Sequence, residues 1–202
     1  MKKTILITGS TDGIGKLAAL KLANDGHEIY LHGRNADKLS GVISEMKSAS
    51  GNENIKGFIA DFSDLTVVRK MATTVNEELP KLDVLINNAG VYKSRATKTV
   101  DGLEIRFAVN YFAPYLLTQE LLPLLKKGEM PRIINLSSAA QAPVSMEALR
   151  GAVSLEEMQA YAQSKLALTM WSVHLAEAEP DIIVIPVNPG SLLNTNMVRE
   201  GW

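Results

Sequence analysis

T-I-L-I-T-G-S-T-D-G-I-G, residues 4–15, contains a strand, a turn and the start of a helix. Thr4 to Thr8 is a short apolar run bounded by glycine, which predicts a buried strand. Beyond it Ile14, Leu17, Ala18 and Leu22 recur at helical spacing. Between the two lie Gly9, Gly13 and Gly15, spaced G-x-x-x-G-x-G. Gly9 allows a tight turn, Gly13 lets backbone approach a pyrophosphate, and Gly15 lets the helix pack close to the strand. The helix N-terminus then offers free N–H groups and a partial positive charge to a phosphate. Gly9, Ser10, Thr11, Asp12, Gly13, Ile14 and Gly15 are therefore candidate cofactor contacts. The competing reading is a glycine-rich connection that binds nothing.

The rest of the chain repeats the strand-then-helix pattern. Apolar runs at 28–32, 55–60, 84–87, 132–137 and 182–187 read as further strands. Most are apolar almost throughout, as in sheets covered on both faces. Segments near 36–49, 64–78, 101–126 and 155–178 carry helical spacing, and Pro180 stops the last of them. Strict alternation of this kind predicts an α/β fold: a doubly wound, Rossmann-type parallel sheet with helices on both faces. No linker or internal repeat divides residues 1–202, so a single domain is expected.

Composition narrows the function. The chain is 46% hydrophobic and 21% charged, with net charge −1, and no block of basic residues invites nucleic acid or an acidic membrane. There is no cysteine, which excludes disulfides and thiolate catalysis. The three histidines, at 27, 32 and 174, lack metal-ligand spacing, so no metal site is expected. Two lysines open the chain, but the apolar run Ile5–Ile7 falls short of the 7–15 or so residues a secretory segment needs. Nothing approaches the length of a transmembrane helix, so no membrane insertion and a cytoplasmic location are expected.

The end of the second strand selects the cofactor. An NAD site wants an acidic residue there to hold the ribose 2′-hydroxyl. In H-G-R-N, residues 32–35, Gly33 takes that place and Arg34 follows. A guanidinium suits a 2′-phosphate, which favours NADP with NAD as the alternative. Asp12 in the glycine turn is the counter-signal, and a solvated surface role is the plain alternative for Arg34.

Six motifs now stand in order: T-G-S-T-D-G-I-G (8–15), N-N-A-G (87–90), Asn110 within F-A-V-N-Y, I-N-L-S-S (134–138), Y-A-Q-S-K (161–165) and N-P-G (188–190). Together the chain resembles a short-chain dehydrogenase/reductase from Thr8 to Thr195. The wording A-Y-A-Q-S-K-L-A and the extended stretch before it look most like the retinol-dehydrogenase-like branch. The resemblance implies an oxidoreductase that moves hydride between a nicotinamide cofactor and a carbonyl or alcohol. It implies Asp61 and Phe62 beside the adenine, and Asn88, Ala89 and Gly90 along the cofactor. Pro189, Gly190, Leu192 and Thr195 would close over the nicotinamide. It also implies a homodimer or homotetramer built on the helices at 101–126 and 155–178.

By the same resemblance Tyr161 is the general acid in reduction and the general base in oxidation. A free tyrosine titrates near 10, and a nearby ammonium favours the phenolate. Lys165, one helical turn on, can supply that charge and also bind the nicotinamide ribose. Ser138, the second serine of its pair, would orient the substrate oxygen, and Asn110 would hold a water that relays protons from Lys165. The plain alternative for Asn110 is a helix asparagine bonding backbone across a kink.

Two features depart from the pattern. Twenty-two residues, 139–160, separate Ser138 from Tyr161 and include Val144, Met146, Leu149 and Val153. They read either as a cover favouring an apolar substrate or as a surface excursion. The resemblance also implies a substrate loop and a final strand beyond N-P-G, expected to lie outside a sequence ending at Trp202. A different class of function, a non-catalytic NADP-binding redox sensor or scaffold, would be expected to have lost Tyr161 or Lys165; both are present.

Overall fold

The computed structural model describes residues 1–190. Six parallel strands, β1 (Thr4–Ile7), β2 (Glu28–Gly33), β3 (Ile55–Ile59), β4 (Val84–Asn87), β5 (Arg132–Leu136) and β6 (Ile183–Val187), form one sheet in the order β3-β2-β1-β4-β5-β6. This is the doubly wound Rossmann order, with its switch point between β1 and β4. Helices α1 (Gly13–Asn24) and α2 (Ala36–Ser50) cover one face. Helices α3 (Leu65–Glu78), α5 (Ala113–Leu125) and α7 (Glu157–Ala178) cover the other. Two short helices, α4 (Ile105–Phe107) and α6 (Met146–Leu149), complete the set.

The period-two alternation of β1 splits the core. Leu6 joins Leu85, Leu117 and Leu168 in one cluster, while Ile5 and Ile7 join Ala19, Ile29 and Leu39 in the other. Each fully buried aliphatic side chain contributes about 1.5–3 kcal/mol. The continuous apolar reading holds at the centre and fails at the edges. Lys56 and Ile59 of β3 and Ile183 and Ile185 of β6 are exposed, because an edge strand is covered less completely.

Two helix readings need correction. The buried stripe of α1 is Gly15, Ala19 and Ala23, while Leu17 is 69% exposed. Small side chains let the helix axis come close to the sheet, so the larger ones turn outward. The segment 101–126 is not one helix. Glu104 caps α4, a single π-helical turn runs over Ala108–Phe112, and only then does α5 begin. Such turns insert an extra residue and recur at functional sites.

Candidate active site

The glycine turn leaves β1 at the switch point. Gly9 has φ 61° and Gly13 φ 53°, the left-handed region that favours glycine. A Cβ on Gly9 would lie 2.7 Å from Ala89 Cα, and one on Gly15 would lie 2.6 Å from Gly9 O. The turn is laced to N-N-A-G. Asn88 Nδ2 donates to the carbonyls of Thr8 and Gly9, each at 2.9 Å. The N–H groups of Asn88 and Ala89 both donate to Thr8 Oγ1 at 3.0 Å. Asn88 thus also caps backbone groups of the turn. A turn whose three glycines leave backbone uncovered, opening onto the N-terminus of α1, fits a dinucleotide's pyrophosphate.

The adenosine side lies at the ends of β2 and β3. Arg34 is exposed and directly precedes Asn35, the N-cap of α2. A Cβ on Gly33 would stand 2.5 Å from Thr11 Cγ2, so the position an acidic residue would need is crowded. Asp12 caps α1, accepting from Gly13 N, and pairs with Lys38 Nζ at 2.9 Å. The acidic counter-signal therefore carries its own cation, one turn into α2 from Arg34. Asp61 is exposed, its Oδ1 accepting from Ser63 N and Oγ. Phe62 is buried and stacks on His32 with ring centroids 4.2 Å apart, so it backs this pocket from behind.

The other half of the site gathers at β5, β4 and α7. Tyr161 and Lys165 share one face of α7, with Nζ 5.7 Å from the ring centroid. Lys165 is buried, and its Nζ donates to Leu136 O at 2.7 Å. Burial pushes its pKa down to about 8. Ser138 is half-buried and near the phenol, whereas Ser137 turns inward to Thr169 Oγ1 at 2.6 Å, which separates the pair.

Burial holds the Tyr161 phenol above its ordinary value; the Ser138 hydroxyl works against that rise and Tyr92 adds to it. The expected lowering by Lys165 is not the balance found. Its ammonium is committed to a backbone carbonyl and lies 5.7 Å from the ring centroid. Asn110 serves in the alternative role weighed for it, bonding backbone across the kink. Nδ2 donates to Val91 O and Ser164 Oγ, both at 3.0 Å, and Oδ1 accepts from Val91 N at 2.7 Å. Both side-chain N–H groups are spent in holding the π turn to Val91 and Ser164.

Pro189 and Gly190 close the described chain, with Gly190 exposed, while Leu192 and Thr195 lie outside the described residues. Sequence reasoning missed His32 and Tyr92. His32 Nδ1 accepts from Gly9 N at 3.0 Å and Nε2 meets Ala60 O at 3.0 Å, so the ring pins the glycine turn to the end of β3. Its only signal was a histidine at the C-terminal end of an apolar strand. Tyr92 packs edge-on against Tyr161, with centroids 5.2 Å apart.

This geometry agrees with comparison to known proteins: the short chain dehydrogenase family profile matches residues 3–201. The chain belongs to that family. Human polyprenol dehydrogenase is 34% identical over 207 residues, covering 98% of this chain and 63% of its own. Human retinol dehydrogenase 13 is 34% identical over 184 residues, covering 86% and 54%. These relatives support the retinol-dehydrogenase-like branch, and the chain spans between about half and two thirds of their length. Among solved structures, the Pseudomonas aeruginosa RhlG/NADP active-site complex superposes with TM-score 0.79 at 29% identity, covering 98% of this chain and 75% of that one. Among the described residues, no helix is long and apolar enough to cross a membrane.

Proposed function

We propose that this short-chain dehydrogenase is an NADP-preferring oxidoreductase that interconverts an apolar carbonyl and its alcohol. The observation that carries the reading is the convergence of Tyr161, Lys165 and Ser138 at the end of the sheet that also carries the glycine turn. When bound, the nicotinamide cofactor supplies the hydride. The chain's own residues orient the substrate and move the proton. Ser138 fixes the carbonyl oxygen, and Tyr161 delivers a proton to the oxygen as it gains charge. A phenol held above its ordinary pKa keeps that proton at neutral pH, the form reduction requires. Lys165, charged below about pH 8, faces the ring that is left negative. Asn110 contributes by holding the π turn against α7.

Arg34 and Lys38 at the adenosine end, with Gly33 too crowded for an acidic side chain, support a 2′-phosphate. A solved relative in complex with NADP supports the same choice. Polyprenol and retinol are long apolar alcohols, so the names of the relatives support an apolar substrate. Exposed Tyr115, Met170 and Val173 on α5 and α7 support self-association through that face.

The test is NADPH oxidation against a panel of apolar aldehydes and ketones, repeated with NADH. Tyr161→Phe is expected to keep NADPH binding and lose at least about a hundredfold in kcat, the low end of general acid catalysis. Arg34→Ala is expected to raise KM for NADPH and leave KM for NADH unchanged. Unchanged turnover in Tyr161→Phe overturns the mechanism, and equal use of both cofactors by the wild type overturns the NADP assignment.

A further inference from the structure

The dipeptide Val91–Tyr92, just past N-N-A-G, is clamped from two sides. Asn110 holds both backbone groups of Val91. Arg106 Nε donates to the Tyr92 carbonyl at 2.6 Å. Arg106 is only 1% exposed and carries two carboxylates, with Nη1 2.6 Å from Glu104 Oε1 and Nη2 2.7 Å from Glu157 Oε1. The second contact is oblique: Nη2 is in ion-pair range of Glu157 but makes no well-angled hydrogen bond. Glu104 caps α4 and Glu157 opens α7 four residues before Tyr161. One guanidinium therefore joins the loop after β4 to the starts of both helices.

Burying charges is costly unless geometry and partners are good, so a cluster like this is weak evidence for stability and better evidence that a position matters. What it holds is the backbone from which the Tyr92 ring projects. That ring meets Tyr161 at 72° with centroids 5.2 Å apart. Lys165 Nζ lies 5.7 Å from the centroid of the same Tyr161 ring. Tyr161 is thus bounded by an aromatic edge and a cation, and Tyr92 is set by bonds that do not involve Tyr161.

We propose that Tyr92, anchored through Arg106, is a positioning residue that fixes the pose from which the Tyr161 phenol transfers its proton. The proposal rests on the reading of Tyr161 as the proton donor. Tyr92 itself exchanges no proton; it restricts the phenol to one orientation. An edge-to-face pair is worth about a threefold to tenfold bias toward one pose.

The experiment uses the full chain with NADPH and the best carbonyl substrate of the panel. Tyr92→Leu is expected to lower kcat about threefold to tenfold while KM and the NADPH Kd, read by fluorescence titration, stay within about twofold. Tyr92→Phe keeps the ring and is expected to recover most of that loss. Arg106→Lys keeps the charge but lacks the planar fork, and is expected to lower kcat in the same way with NADPH affinity kept. Tyr92→Met is the second variant should Tyr92→Leu misfold. Wild-type kcat in either folded variant overturns the proposal, as does a loss that Tyr92→Phe does not restore. Tyr161→Phe is run alongside: turnover there overturns the reading of Tyr161 itself, so the two failures are told apart.

Discussion

The glycine turn at 8–15 and the strap at 139–160 flank the same site and are held in opposite ways. The turn is fixed by partners distant in sequence. His32 holds the N–H of Gly9, Asn88 holds the carbonyls of Thr8 and Gly9, and Ser10 N donates to His32 O at 3.0 Å. The strap relies mainly on local bonds. Ser145 caps α6, and its longer ties include Ser145 N to Gln163 Oε1 at 2.9 Å and Lys98 Nζ to Gly151 O at 3.5 Å. Its Met146 and Val153 are 51% and 44% exposed. A phosphate cradle must be organised before its ligand arrives, because loose N–H groups would have to be ordered on binding. A cover over a variable substrate has no such need.

The largest expected effect comes from breaking the turn. In Gly15→Ala the new Cβ would stand 2.4 Å from Asn88 Nδ2 and 2.6 Å from Gly9 O, and backbone oxygen cannot swing aside. Overpacking of this kind costs about 1–3 kcal/mol, a fall in Tm of several degrees at this chain length. Shifting Asn88 also releases the carbonyls that shape the turn, so the NADPH Kd should rise at least about tenfold, roughly the loss of one net hydrogen bond. A thermal melt and a fluorescence titration check both. A wild-type Tm and Kd would mean that the turn is as tolerant as the strap.

Legibility in the sequence follows the same division. The strands could be read to within a residue because each is a short apolar run ended by turn residues. Tyr161, Lys165 and Ser138 could be read through the ordered motifs that carry the family resemblance; helical spacing adds only that Tyr161 and Lys165 share a face. The π turn in 101–126 was legible only as the kink weighed for Asn110; its partner Val91 lies across the fold, and no local pattern encodes that. The inward face of α1 differs from its larger apolar stripe because the close approach expected at Gly15 extends to Ala19 and Ala23. His32 and Tyr92 act only through contacts the fold creates.

His32 gives an effect of comparable size, on stability alone and confined to acid pH, that sharpens the comparison. Burial pushes its pKa from 6.5 down to about 4, opposed weakly by its bond to Ala60 and by Asp61. In the fold it is neutral, accepting at Nδ1 from Gly9 and donating from Nε2 to Ala60. Between pH 6.5 and about 4 the unfolded chain takes up a proton that the native state refuses. Its contribution is therefore full above pH 6.5 and is lost as pH falls toward 4, a total on the order of 3 kcal/mol. Urea midpoints at pH 7, 6 and 5 are expected to fall more steeply for wild type than for His32→Gln. Parallel curves would show that the turn does not depend on a neutral histidine.

The smallest expected effect on stability belongs to the strap. Replacing Met146 and Val153 by serine removes apolar surface that is already half in water. Exposed substitutions away from caps and networks stay within about 0.5 kcal/mol, so Tm should move by no more than a couple of degrees. The NADPH Kd should not change, since neither residue touches the turn. If the strap covers the substrate, each methylene lost from the contact weakens binding by up to about 0.8 kcal/mol. The KM for an apolar carbonyl should then rise about threefold to tenfold with kcat kept, because such contacts hold substrate and transition state alike. An unchanged KM would assign the strap to the surface alone and place substrate selection elsewhere. A fall in kcat would mean that the strap bears on Tyr161 as well, and that the two regions are less separate than their bonding makes them.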